Sequence, residues 1–243
     1  MLPPFSARRP ASSGARRLGR RASRGSAELA RAFDISVLAG VNGAGKSSIG
    51  GAFLRARGAS YFNPDEVARE IRAARPGLDQ REANSLAWYK GRDLLQAAID
   101  DRHDFNFEST LGAHTIPAML EKAVSEGARV HVWYVGLDSP ERHIARVKAR
   151  HKAGGHDIPE EDIRRRYETS RENLVWLMPK LATLLVYDNS TEADPKTGKQ
   201  PQPRLVLHMV DGRIAAPADL RATPDWAKAI VARAIEVRKP GAR

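Results

Sequence analysis

From residue 33 onward, short apolar runs alternate with stretches whose apolar residues recur at helical spacing. That pattern predicts a mostly parallel sheet flanked by helices, an α/β class. Residues 35–39 read as the first strand, followed by a helix to about residue 56. A short strand at 60–62 runs into Asn63-Pro64, an N-cap with proline at the first helical position, and the helix continues to about Ala74. A longer helix is expected over 81–99, with Ala87, Leu94, Leu95 and Ile99 toward the core. Strands follow at 105–108, 130–135 and 184–187, with helices near 116–126, 140–152 and 159–176 between them. A polar, proline-bearing stretch at 191–203 reads as a loop. Residues 205–209 and Ile214 flank Asp211-Gly212, a hairpin turn, and a helix over 224–237 closes the pattern.

The first strand runs straight into Gly40-Val41-Asn42-Gly43-Ala44-Gly45-Lys46-Ser47-Ser48, which fits G-x-x-x-x-G-K-[ST]. Strand, loop and helix come in the order of a phosphate-binding loop. Its backbone N–H groups and helix N-terminus would cradle a triphosphate. Lys46 would reach the β- and γ-phosphates, and the Ser47 hydroxyl would hold Mg²⁺. The expected ligand is therefore Mg²⁺-ATP in residues 40–48.

Two acids stand at the carboxyl ends of strands, where ligands of parallel sheets collect. Asp65, just after the second strand, is placed to take or orient an acceptor hydroxyl's proton. An acid in the first turn of a helix is also explained by the helix dipole, worth about 0.3–1 kcal/mol. Glu108 ends the run Phe-Asn-Phe-Glu-Ser-Thr. It can touch Mg²⁺ through water, bind substrate hydroxyls beside Ser109 and Thr110, or cap the next helix.

Arg142, Arg146 and Arg150, spaced i, i+4, i+8, predict a basic helical face. That face can offset charge on a transferring phosphate or simply be solvated. Residues 152–158, with Gly154 and Gly155, would be the hinge of a lid carrying it. Arg164, Arg165 and Arg166 each follow an acid by four residues, so a salt-bridge ladder accounts for them without a function. His156 would donate to phosphate or brace the turn, whereas His103, His131 and His208 lack metal-ligand spacing.

Net charge changes the picture less than its size suggests. Of the formal +11, eight arginines against Glu28 put +7 into residues 1–31, an Arg-, Ser- and Pro-rich tail with too little apolar surface to fold alone. The tail admits three readings: a disordered appendage, a transit peptide, or a basic arm. Residues 32–243 would then form a single domain. The body lacks interleaved aromatic and basic positions, which argues against nucleic acid as a partner. There is no cysteine and no apolar run of membrane-spanning length, and a cytoplasmic setting is expected.

Several motifs together resemble the zeta toxin family of P-loop kinases. They are Leu38-Ala39-Gly40 through Ser47, Tyr61-Phe62-Asn63-Pro64-Asp65-Glu66, and Phe107-Glu108-Ser109-Thr110-Leu111. Gly154-Gly155-His156-Asp157-Ile158-Pro159, Ile163-Arg164-Arg165-Arg166-Tyr167 and Tyr187-Asp188-Asn189-Ser190 complete the set. The resemblance covers about residues 33–190. It implies a P-loop kinase fold with an Arg-bearing helical lid and ATP-dependent phosphorylation of a hydroxyl on UDP-N-acetylglucosamine. By position it implies Asp65 as catalytic aspartate, Glu108 and Thr110 as sugar contacts, and Arg146 as one charge-stabilising lid arginine. Arg150, Arg164 and Arg166 remain open for the second. An antitoxin partner is a further implication. The alternatives are a P-loop ATPase, or a nucleic-acid-associated nucleotide-binding protein without sugar kinase activity.

Overall fold

Strand β1 (Phe33–Ala39) is buried on both faces, with Phe33, Ile35, Val37, Leu38 and Ala39 all at 3% exposure or less. Such a run belongs in the middle of a helix-covered sheet. The computed structural model of the protein describes residues 32–51, 61–192 and 202–237. The expectations for the 1–31 tail, for helix over 52–56, for Ser60 and for the loop over 193–201 lie outside the described residues.

Among the described residues the sheet has the order β2-β1-β3-β4-β5-β6. Its members are β2 (Phe105–Ser109), β3 (Ala128–Gly136), β4 (Thr183–Asp188), β5 (Arg204–Val210) and β6 (Arg213–Ala216). Strands β2, β1, β3 and β4 run parallel, and the β5–β6 hairpin pairs antiparallel on the β4 edge. Phe62 adds a parallel bridge to Phe107 on the outer side of β2. The chain thus fills one side of β1 and then crosses to β3 on the other. That reversal opens a crevice at the carboxyl end of β1, where the glycine-rich loop begins.

The helices are α1 (Pro64–Ala74), α2 (Gln80–Asp100), α3 (Thr115–Ser125), α4 (Pro140–Lys152), α5 (Glu160–Leu177) and α6 (Lys228–Glu236). Their starts follow from the sequence. Asn63 caps α1 by accepting from the Asp65 N–H at 2.9 Å, with Pro64 in the first turn. Asp79 and Glu82 form a reciprocal capping box on α2, and the Ser139 hydroxyl accepts from the Arg142 N–H on α4.

Two expectations need correction. Leu94 is 38% exposed, whereas Ala87, Leu95 and Ile99 are buried. Adjacent helical residues diverge by about 100°, so the stripe that buries Leu95 turns Leu94 outward. The turn after the phosphate loop, Ser47–Gly51, is π-helical rather than α-helical.

At the carboxyl end of β3, Gly136 lies flat against Trp226, itself 4% exposed. A Cβ there would sit 2.3 Å from Trp226 Cη2. We expect Gly136→Ala to lower stability by about 1–3 kcal/mol, read as a drop in the thermal unfolding midpoint. An unchanged midpoint would mean the indole can withdraw.

Candidate active site

Gly40 carries the chain off β1 at φ +136°, a conformation that L side chains rarely adopt. A Cβ on it would meet the Val135 carbonyl oxygen at 2.1 Å, so the loop starts pressed against β3. From β4, the Asn189 side chain donates to the Ala44 carbonyl at 2.9 Å and holds the loop's far limb.

Register brings Glu108 to the mouth of this loop, because β1 and β2 align Leu38 with Glu108. Its carboxylate is 9% exposed and serves both chemical residues of the motif. Glu108 Oε1 lies 3.4 Å from Lys46 Nζ, and Oε2 accepts from the Ser47 hydroxyl at 2.8 Å. Lys46 also donates to the Val41 carbonyl at 3.3 Å. A serine hydroxyl and a carboxylate in contact are hard oxygen donors, the set Mg²⁺ prefers. The residues present therefore fit a Mg²⁺-nucleotide. Thr110, expected to contact sugar, accepts at its hydroxyl from the Gly112 N–H at 3.3 Å, two residues beyond Glu108. Ser48 is exposed and Ala44 buried.

Helices α4 and α5 cover the loop from one side. Ile144 and Val147 of α4, Ile163 of α5 and Ile158 between them form a small core with Val41 of the loop itself. Arg166, on α5, donates to the Asn42 side chain at 2.9 Å and lies 3.5 Å from Asp162. Burial pulls the Arg166 guanidinium down from its usual value, and Asp162 and Asp65 oppose that pull. Arg150, on α4, places Nη1 3.4 Å from Asp65 Oδ2, and His156 Nε2 lies 3.8 Å from Asp65 Oδ1.

The structure therefore brings Asp65, Arg150, Arg166 and His156 together, beside a loop whose Lys46 and Ser47 meet Glu108. It does not bring the rest of the basic face with them. Arg146 is held by Glu192 at 3.2 Å, and Arg142 bonds both Glu192 and Asp138. Arg164 points away, with Nη1 2.6 Å from Glu141 Oε1 and a half-exposed side chain. The expected i,i+4 ladder is present only between Asp162 and Arg166. Arg165 takes Asp162 at i,i+3, and Glu160 pairs with Lys148 of α4. Of the other histidines, His131 meets Asp34 at 3.3 Å on the sheet, at a distance no spacing rule showed.

His143 was not singled out by any sequence pattern. It is 1% exposed on α4, and its Nδ1 lies 2.8 Å from the Asn42 carbonyl. A carbonyl only accepts, so Nδ1 bears the proton. Burial holds its pKa down at about 4, partly opposed by that carbonyl and reinforced by Lys46 and Arg146. The unfolded chain, with an ordinary value of 6.5, takes up this proton first. The stabilisation is complete above about pH 6.5 and falls away toward pH 4, by about 3 kcal/mol. His143→Asn, whose side-chain nitrogen takes the position of Nδ1, can keep the bond to Asn42 and should flatten the acid side of unfolding free energy against pH. An unchanged slope over that window would exclude His143 as its source.

A family model described as Zeta toxin matches residues 28–194. An uncharacterized protein of Haemophilus influenzae is 34% identical over 128 residues, 53% of this chain and 88% of that protein. Among solved structures, the AvrRxo1-ORF1:AvrRxo1-ORF2 complex with sulphate ions aligns at TM-score 0.58 and 16% identity, covering 81% of this chain and 65% of that one. The same pair solved with ATP aligns at TM-score 0.58 and 16% identity, covering 77% of this chain and 61% of that one. The matched part is thus under two thirds of those longer chains, and at such identity the likeness is one of fold. The family match spans the phosphate loop, Asp65, Glu108 and helices α4 and α5: the chain belongs to the zeta toxin family of P-loop kinases.

Proposed function

We propose that the chain transfers the γ-phosphoryl group of ATP to a hydroxyl of a UDP-amino sugar, with UDP-N-acetylglucosamine as the first candidate. The loop backbone and Lys46 hold the triphosphate, and Ser47 with Glu108 hold Mg²⁺, which when bound offsets phosphate charge. The acceptor oxygen bonds the γ-phosphorus as the bond to the ADP oxygen breaks, and its proton passes to Asp65. Loose phosphoryl transfer depends on positioning more than on base strength, so a carboxylate suffices. In this reading Glu108 acts on the metal side, a role its bond to Ser47 supports, and Thr110 faces the sugar.

The observation that carries the proposal is the company Asp65 keeps. One carboxylate lies against Arg150 and His156, and its field reaches Arg166, which is bonded to the phosphate loop. The two guanidinium charges of Arg150 and Arg166 around one acid suit an acceptor that brings negative charge of its own, as a diphosphate-linked sugar does. Arg166 is accordingly the second charge-stabilising arginine of the proposal. Arg146 joins it once Glu192 releases its guanidinium, and Arg164 has no part.

Two further elements belong to the proposal. Since AvrRxo1-ORF1 was solved with AvrRxo1-ORF2, an antitoxin-like protein partner is included. The cytoplasm, where ATP and sugar nucleotides meet, is the proposed setting; among the described residues no helix is long and apolar enough to cross a membrane.

The test is incubation with Mg²⁺-ATP and a panel of UDP-sugars, with products read by mass. A phosphorylated UDP-amino sugar is expected. Phosphate release with no phosphorylated sugar would replace this reading with plain ATP hydrolysis.

A further inference from the structure

The Gly154-Gly155-His156 turn does more than join two helices. Helix α4 ends by folding back on itself: the Gly155 N–H donates to the Arg150 carbonyl at 2.9 Å, and Gly154 adopts φ +93°. A Cβ on Gly155 would lie 2.9 Å from Arg150 Cγ, so the return path needs glycine to run along that side chain. His151 Nδ1 donates to the Gly155 carbonyl at 2.8 Å and fixes the turn. Two residues further on, Ile158 is seated in the small core with Val41. His156 therefore emerges beside Arg150, with its side chain only 12% exposed, facing the same carboxylate.

Each oxygen of that carboxylate has its own neighbour. Oδ2 has Arg150 Nη1 at 3.4 Å, and Oδ1 has His156 Nε2 at 3.8 Å. An approach of under about 1 Å brings Nε2 into hydrogen-bonding range. Asp65 side-chain exposure is 36%, and its backbone N–H is committed to Asn63. Contacts on both oxygens would select one rotamer.

We propose that His156 is a positioning residue for Asp65, its Nε2–H holding the Oδ1 side of the carboxylate so that the acid faces the transferring phosphoryl group. The proposal rests on the reading of Asp65 as the residue that receives the acceptor hydroxyl. Burial lowers the His156 pKa first of all; Asp65 and Asp157 oppose, and Arg150 and Arg69 reinforce it. The ring is then neutral at pH 7 and can donate through Nε2 in the corresponding tautomer.

Two readouts test it. His156 is titrated by NMR in the wild type and in Asp65→Asn, with its signal assigned by loss in His156→Gln. Removing the carboxylate charge should lower the midpoint, and an unchanged midpoint overturns the proposal. In parallel, turnover is measured with Mg²⁺-ATP and UDP-N-acetylglucosamine. His156→Ala should lower kcat about tenfold at unchanged KM for ATP. His156→Gln, whose side-chain nitrogen reaches the position of Nε2, should recover most of it. Equal losses in Ala and Gln would overturn the donor role. Normal turnover in His156→Ala beside a dead Asp65→Asn sinks this proposal alone, whereas full turnover in Asp65→Asn sinks the reading of Asp65 itself. Should the sugar nucleotide not be phosphorylated, the titration decides.

Discussion

Lys46→Ala is expected to reduce phosphoryl transfer by about 10²–10³-fold or more, because it removes the cation that meets the phosphates as charge develops. The same substitution should also destabilise the protein. Lys46 and Glu108 are 6% and 8% exposed at their side chains and 3.4 Å apart. Breaking a buried pair from one side leaves an uncompensated charge, at about 3–5 kcal/mol. The remaining carboxylate would keep its contact with Ser47. Loss of activity in Lys46→Ala alone is therefore ambiguous, and the double variant Lys46→Ala/Glu108→Gln, read beside Glu108→Gln alone, separates the effects. It should regain most of the thermal midpoint while staying inactive. A double variant that recovers transfer would place the phosphate-binding cation elsewhere.

Asp65→Asn should lower kcat by about 10²–10⁴-fold while leaving ATP binding near normal. The amide keeps size and shape but cannot take a proton. Its effect on folding should be small, since the pair with Arg150 is more than a third exposed on both sides and such pairs contribute about 0–1 kcal/mol. Calorimetric titration with Mg²⁺-nucleotide and a melting curve would check both halves. Near-normal turnover in this variant would leave Asp65 as a helix-terminal acid only.

Much of this architecture is legible in the sequence. The apolar run at β1, the turn residues at Asn63-Pro64 and the hairpin signal at Asp211-Gly212 each act locally, so periodicity and capping rules reach them. The phosphate loop was legible because its spacing encodes a backbone shape. What remained hidden depends on distance in sequence. Arg142, Arg146 and Arg150 look like one face, yet each four-residue step advances about 400° around a helix. Over eight residues the face therefore turns by about 80°, enough to send Arg142 to Asp138 and Arg150 to Asp65. The expected ladder on α5 loses its Glu160–Arg164 rung to α4, through Glu141–Arg164 and Lys148–Glu160, pairs that only helix packing creates, while Arg165 turns to Asp162 on its own helix. His143 carried no signal, since a lone histidine in a basic helix looks solvated until the loop is laid over it. Asn189 had a weak one: a polar residue just beyond a parallel strand, on the side where ligands gather.

The small core that contains Val41 has a consequence for how often the enzyme must become ordered. A flap that arrives from solvent loses backbone and side-chain freedom at every turnover, at about 1–2 kcal/mol per residue fixed. Here Ile144, Val147, Ile158 and Ile163 are already seated on the phosphate loop. That entropy is surrendered once, when the chain folds. In the proposed reaction, what these helices leave for each cycle to settle includes the rotamers of long side chains such as Arg146 and Arg150.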